Sequence, residues 1–384
     1  MTTAVLDFPC GSLVLSRPGT DDPSLRAWNA ADELILQDAC SRLKAAPDAR
    51  VLVVDDQYGA LTLALSRFAP DVVADGAQLS GALIVNARQN PGCAAPEQVY
   101  SWLQPPDKSY DLILLKIPRE ADYLAWLLRW ANGAIKPGGT ILAAGMIKHL
   151  PDRSVDVFAA ALEVQSVSRA VKKARMMTCG RGEATLKGWA GTWKGYELES
   201  RLKGGELRVA AMPAVFAREK LDIGTRLMLP HLKPTLKPCH AGARVLDLAC
   251  GNGVLGLSAL AMRPDIEVIF SDVSSQAVLS ARSNTEAAFP GARALFLHAD
   301  GIAAGNGPFD RILLNPPFHE GGVVGDHIAL RLFEQASQNL TETGRLVMVG
   351  NRHLGYHRSL RRFFPHVRQL DSDPRFVVFE AWLS

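Results

Sequence analysis

The chain has 384 residues, 48% of them hydrophobic and 21% charged, with a formal net charge of +3. Those proportions exclude a disordered or low-complexity chain, and the length admits two domains of ordinary size. No apolar run approaches the span of a membrane, the start lacks a charged-then-apolar export signal, and the six cysteines form no C-x-x-C pair. A cytoplasmic protein with no zinc site and no disulfide framework is expected.

In chain order, the first strand-like run is Val51-Leu52-Val53-Val54, after Asp48-Ala49-Arg50. Tyr110-Asp111-Leu112-Ile113-Leu114-Leu115 follows and runs into Lys116-Ile117-Pro118-Arg119. Lys136-Pro137-Gly138-Gly139-Thr140-Ile141-Leu142 opens a third. Ser166 to Lys194 carries seven Lys or Arg, with Lys172, Lys173 and Arg175 among them, against the single acid Glu183. Such a stretch is either a solvated face or a phosphate-binding surface. Trp193 to Val209 alternates polar and apolar residues around Lys203-Gly204-Gly205, the pattern of a hairpin. Asp222 is placed to cap a helix start.

The three runs return about 195 residues later. Gly242-Ala243-Arg244-Val245-Leu246-Asp247-Leu248 parallels the first, Phe309-Asp310-Arg311-Ile312-Leu313-Leu314 the second, and Thr341-Glu342-Thr343-Gly344-Arg345-Leu346-Val347 the third. Strand-like and helical segments alternate in both halves, so the expected class is α/β, with two tandem doubly wound Rossmann-like domains at 1–190 and 191–384. From Gly344 to Leu370 there are six Arg and three His, including Arg352 and His353, and no acid.

The copies differ where chemistry would sit. In the second, Asp247 leads into Gly251, Gly253 and Gly256 at G-x-G-x-x-G spacing, and a helix is expected from Leu255 to Met262. Asp272 follows, where a carboxylate can take two ribose hydroxyls. Dinucleotide sites share that spacing. Asp247 separates the two classes, because a carboxylate at the mouth of the loop repels a pyrophosphate and attracts a cationic amino-acid moiety. S-adenosylmethionine, with an ammonium and no phosphate, is therefore the expected cofactor. Asp300-Gly301 is either a plain turn or an acceptor for the adenine amine. Asn315-Pro316-Pro317-Phe318 ends a strand, since neither proline can donate to a ladder. It presents an amide and carbonyls suited to an exocyclic amine, with Phe318 to stack on the base and His319 beside it. The first copy has Val53 for Asp247, Gln57 for Gly251 and Lys116–Arg119 for the Asn-Pro-Pro-Phe tetrapeptide. Asp75 lies near the place of Asp272, which leaves a residual pocket open as an expectation.

Asp247–Gly256, Asp272, Asp300 and Asn315–Phe318 resemble the motifs of class I methyltransferases that act on exocyclic amines. Leu25–Glu33, Lys172–Arg175, Leu221–Gly224 and Gly350–Leu354 are similar to segments of the tandem-domain guanine-N2 methyltransferases of large-subunit ribosomal RNA. The resemblance implies methyl transfer to guanine N2 in 23S rRNA, with 16S rRNA or a non-catalytic ribosome-assembly role as alternatives. It implies catalytic Asn315, Pro316 and Phe318, and cofactor contacts from Asp247, Cys250, Gly251, Gly253, Asp272, Val273, Asp300, Gly301 and Asn315. RNA contacts are expected from Pro317, His319, Lys116, Arg119, Lys172, Lys173, Arg175, Arg352 and His353. A monomer without a metal or a membrane partner completes the expectation, with Leu221–Arg226 resembling a segment that closes over the methionine end of the cofactor.

Overall fold

The computed structural model describes residues 3–20, 22, 24–150, 154–200, 205–317 and 327–384. The chain divides into two compact units, one ending at Thr192 and the other beginning at Trp193.

The first unit holds β1 (Thr3–Phe8), β2 (Gly11–Ser16), β3 (Val51–Val54), β4 (Asp71–Val73), β5 (Tyr110–Lys116), β6 (Ile135–Met146), β7 (Glu163–Val167) and β8 (Ala174–Gly180). β1 and β2 form a hairpin, and the other six make one sheet in the order β4-β3-β5-β6-β8-β7. β4, β3, β5 and β6 are parallel, and β8 and β7 are antiparallel. Strands covered on both faces read as unbroken apolar runs. Val51–Val54 and Leu112–Leu115 are accordingly buried throughout.

The second unit holds β9 (Lys194–Ser200), β10 (Gly205–Ala211), β11 (Arg244–Leu248), β12 (Glu267–Asp272), β13 (Ala294–His298), β14 (Phe309–Leu314), β15 (Leu340–Asn351), β16 (His366–Ser372) and β17 (Phe376–Trp382). Its sheet runs β13-β12-β11-β14-β15-β17-β16, parallel as far as β15. The order reverses between β11 and β14, which makes their carboxyl ends the ligand edge of such a sheet. The expected hairpin is β9–β10; Lys203 and Gly204 of its turn lie outside the described residues. Asn284 clamps the hairpin to the helix Ser275–Ala288 by accepting from Ala210 N (3.0 Å) and donating to Ala210 O (2.7 Å).

Asp222 caps the helix Ile223–Leu236 as expected, accepting from Thr225 N at 2.9 Å. That helix continues through Pro230 and Pro234. It lies against the sheet, so tertiary packing offsets the backbone bonds that the prolines remove.

Candidate active site

β11 carries Asp247 and Leu248 to the ligand edge, and the chain turns there through Ala249, Gly251 and Gly253 at φ +57°, +55° and +82°. Gly253 then opens the helix Val254–Met262 in a left-handed conformation that favours glycine. A Cβ on Gly256 would lie 2.3 Å from Phe270 of β12, so close helix–sheet approach requires glycine there. Around Gly251 a Cβ would meet nothing within 4 Å, and the turn is open on that side.

The acids at this edge hold the turn. Asp247 is buried and its Oδ2 accepts from Gly256 N at 2.8 Å. Burial pushes its carboxyl up to about 8; the Gly256 N–H opposes the rise and the negative charge of Asp272 adds to it. Asp272 accepts from Gly251 N (2.8 Å) and Ser274 N (2.9 Å), which fixes its carboxylate beside the open face of the turn. Val273 is 38% exposed next to it. Burial holds the Cys250 thiol far above its ordinary value, so the group is an uncharged wall. Asp300 is exposed, and both its oxygens accept from Arg331 (2.9 and 2.5 Å), while buried Gly301 accepts from Ser271 Oγ.

Asn315 follows the last residue of β14, with Pro316 buried and Pro317 exposed behind it. Its Nδ2 donates to Asp222 Oδ2 at 3.1 Å and to Thr225 Oγ1 at 3.0 Å. Its Oδ1 is buried and has no partner among the described residues. Buried acceptors are nearly always paired, and an unmade bond costs about 1–3 kcal/mol. This oxygen is an acceptor kept in reserve at the ligand edge. Phe318 and His319 lie outside the described residues. Sequence reasoning passed over Arg331 and offered Thr225 only within the segment Leu221–Arg226, without its tie to Asn315; their partners are 31 and 90 residues away in the chain.

In the first unit the same edge carries a different set of side chains. β4 pairs Val53 with Val72 as β12 pairs Asp247 with Phe270, so Ala74 occupies the register place of Asp272. The expected match of Asp75 is thus off by one residue. Asp55 Oδ2 accepts from Tyr123 Oη at 2.7 Å, and Tyr123 Oη accepts from Trp102 Nε1 at 2.8 Å. Trp102 in turn packs edge-on against Trp126 and Trp130, with ring centroids 4.8 and 4.9 Å away. Burial pushes the Asp55 carboxyl up to about 7, with the neighbouring Asp75 adding to the rise.

The expected RNA-facing cations separate by burial. Lys116 takes the ladder place of Asn315, but its side chain is only 12% exposed and its Nζ lies 2.5 Å from Asp32 Oδ2. A charge matched inside the fold is not a phosphate contact, and the expectation for Lys116 is corrected. Arg119, Lys173 and Arg175 are exposed, and Lys172 is exposed while pairing with Glu33 at 2.6 Å. Arg352 and His353 are exposed just past the carboxyl end of β15, next to that of β14, and are followed by exposed His357, Arg358, Arg361 and Arg362. Arg345 and Arg368 instead stack on Trp382 and pair with Glu380. Among the described residues, no three His, Cys, Asp or Glu side chains gather as metal ligands, and no helix is long and apolar enough to cross a membrane.

Residues 206–380 match the Methyltransferase small domain and residues 3–183 the RLMG N-terminal domain. The solved 16S rRNA N2 methyltransferase RsmC of T. Thermophilus, in complex with AdoMet and guanosine, superposes over 100% of this chain and 98% of its own, with a TM-score of 0.75 at 23% identity. At that identity the likeness speaks for the fold, a pair of methyltransferase-like α/β units. Ribosomal RNA large subunit methyltransferase G of Pseudomonas aeruginosa is 37% identical over 371 residues, 96% of each chain. Its counterpart in Alcanivorax borkumensis is 38% identical over 382 residues, 97% of this chain and 95% of that one. By fold, by both domains and by likeness along nearly its whole length, the chain belongs to the ribosomal RNA large subunit methyltransferase G family.

Proposed function

We propose that the second unit transfers a methyl group from S-adenosylmethionine to the exocyclic N2 amine of a guanine in 23S rRNA. The observation that carries this reading is Asn315, whose Nδ2 is fully engaged while its buried Oδ1 is left without a partner. The residues at the edge fit the cofactor. The open face of Gly251, the fixed carboxylate of Asp272 and the half-exposed Val273 suit a nucleoside, and Asp247 lies below the turn to match an ammonium. Bound there, S-adenosylmethionine supplies a methyl group on a sulfonium, a good leaving group.

The chain's own task is the nucleophile. The lone pair of guanine N2 is delocalised into the ring, so the amine is flat and weakly nucleophilic. Asn315 Oδ1 accepts one of its hydrogens and the Pro316 carbonyl accepts the other. These bonds fix the nitrogen and favour the pyramidal form that attack requires, which is positioning and electrostatic preorganisation without a strong base. The surplus proton leaves to water. Phe318 stacks on the base, a contact of the kind worth about 1–3 kcal/mol. Extracting a paired base from its helix costs a few kcal/mol. The exposed Arg352, His353, Arg358, Arg361 and Arg362 hold the RNA backbone beside the site, with Arg119, Lys172, Lys173 and Arg175 serving the first unit. The protein is proposed to act as a cytoplasmic monomer without a metal.

Asn315→Ala is expected to lower kcat by about a hundredfold, the scale for removing one preorganised polar group, while cofactor affinity by calorimetry is unchanged. An unchanged rate would refute the role of Asn315. Mapping N2-methylguanosine in rRNA from a strain lacking the protein should show one site lost from 23S rRNA; a loss from 16S rRNA would overturn the substrate assignment.

A further inference from the structure

Asn315 can serve the amine only if its oxygen, and not its nitrogen, faces the pocket. Nothing intrinsic to an amide enforces that choice, because its two ends are almost identical in size. The helix Ile223–Leu236 supplies the choice. Asp222 Oδ2, already accepting from Thr225 N at 2.9 Å, also faces the Asn315 amide at 3.1 Å. An oxygen that carries no hydrogen can only accept, so the amide atom opposite must be Nδ2. Thr225 Oγ1, in a residue 4% exposed, receives the second hydrogen at 3.0 Å. A flipped amide would set oxygen against oxygen at Asp222 and leave the nitrogen facing the substrate amine, donor against donor.

We infer that Asp222 and Thr225 are positioning residues of the transfer reaction, locking the Asn315 amide with its oxygen toward the amine to be methylated. The inference rests on the proposed role of Asn315. The first unit supports the idea that this link is a built feature. There the helix Ala30–Ala45 is capped by Asn29, and the residue three positions on, Asp32, holds Lys116 at the ladder place of Asn315. Thr225 likewise stands three positions after its cap, Asp222. Both units tie the end of the strand that pairs with the first parallel strand, β5 beside β3 or β14 beside β11, to the first turn of the helix that precedes that first strand. Only the second does so with a group that has a polar atom to spare. Gly224 makes room for the arrangement, since a Cβ there would lie 3.1 Å from Asp222 Oδ2 and 3.0 Å from Phe376.

Capping and locking can be separated in the full-length protein. D222N keeps an acceptor oxygen of the same reach and T225S keeps the hydroxyl, so both are expected to retain kcat within twofold. In the D222S–T225V double variant, serine still caps the helix but is one bond too short to reach Asn315, and valine removes the second acceptor. Its kcat is expected to fall about tenfold, the scale of one to two lost hydrogen bonds. The Kd for S-adenosylmethionine and the Tm should stay near wild type. A double variant with unchanged kcat overturns the lock, and so does one whose rate loss is matched by weaker cofactor binding, which would make Asp222 a cofactor ligand. A rate loss that tracks a fall in Tm, or a failure of T225S to rescue, overturns it in favour of a structural role. Asn315→Ala tells the two readings apart: if that variant is fully active, the role of Asn315 has failed, whereas an inactive Asn315→Ala beside an active double variant means that only the lock has.

Discussion

Replacing Asp247 with asparagine tests the electrostatics of the cofactor pocket. The Asp247 carboxyl is pushed up to about 8 by burial, far above its ordinary 3.8, so it is mostly protonated at pH 7 in the free protein. To match an ammonium it must ionise. At pH 7 that costs about 1.4 kcal/mol, one pH unit below the pKa, which is tenfold in affinity. Wild-type affinity for S-adenosylmethionine should therefore rise about tenfold from pH 6 to 7, rise less toward pH 8 and then level off. Asp247→Asn keeps an acceptor for Gly256 N but cannot ionise, so it lacks that gain. The ammonium of the ligand titrates in both proteins, and the difference between the two profiles isolates Asp247. Calorimetry from pH 6 to 9, in buffers of different ionisation enthalpy, should also register nearly one proton released per cofactor at pH 7 for the wild type only. Parallel profiles and equal proton release would refute the charge argument. Stability carries the opposite slope: a carboxyl raised by folding binds its proton more tightly in the native state, so stability is full below about pH 4 and is lost as pH rises through 8. The asparagine variant should gain on the wild type across that window in denaturant titrations.

Gly256→Ala places a methyl 2.3 Å from Phe270 and should destabilise the second unit by about 1–3 kcal/mol in chemical denaturation, with the cofactor site weakened in parallel. Lys116→Ala strips the partner from buried Asp32 and should cost about 3–5 kcal/mol of stability; RNA affinity measured well below the transition should be unchanged. Arg361→Ala with Arg362→Ala should show the converse, weaker RNA binding and a salt dependence shallower by about one to two charges, at unchanged stability. Equilibrium dialysis should find one S-adenosylmethionine per chain; two would mean that the Asp55–Tyr123–Trp102 cluster does not close the first pocket.

The duplication, both sheets and the edge that carries Asn315 were legible in the sequence because parallel strands print as apolar runs ending at chemically distinctive residues. Periodicity does not report pairings across long sequence separations. The Asp222–Asn315 contact spans 93 residues, and nothing in the motif announces that one helix cap orients its amide. Charge counting misled for the same reason at Lys116, which looks like a surface cation in the sequence yet is paired inside the fold with an acid supplied by another element. Asp75 was misaligned because the ladder register, invisible in sequence, places Ala74 opposite Asp272's position.

One bond in the first unit has an evolutionary meaning. Val53 stands where the second unit has Asp247, yet the helix after the turn still begins on a carboxylate: Asp56 Oδ2 accepts from Thr62 N at 2.9 Å, and from its hydroxyl at 2.8 Å. The supporting half of the acid's work has moved three residues along the chain, and the half that would face a ligand has not moved with it. Restoring an acid at position 53 would now bury a second carboxylate beside Asp56, with the N–H of Thr62 already taken. Such a step loses stability before it gains any binding. The relocation therefore makes an acid at position 53 redundant for the helix and costly for the fold.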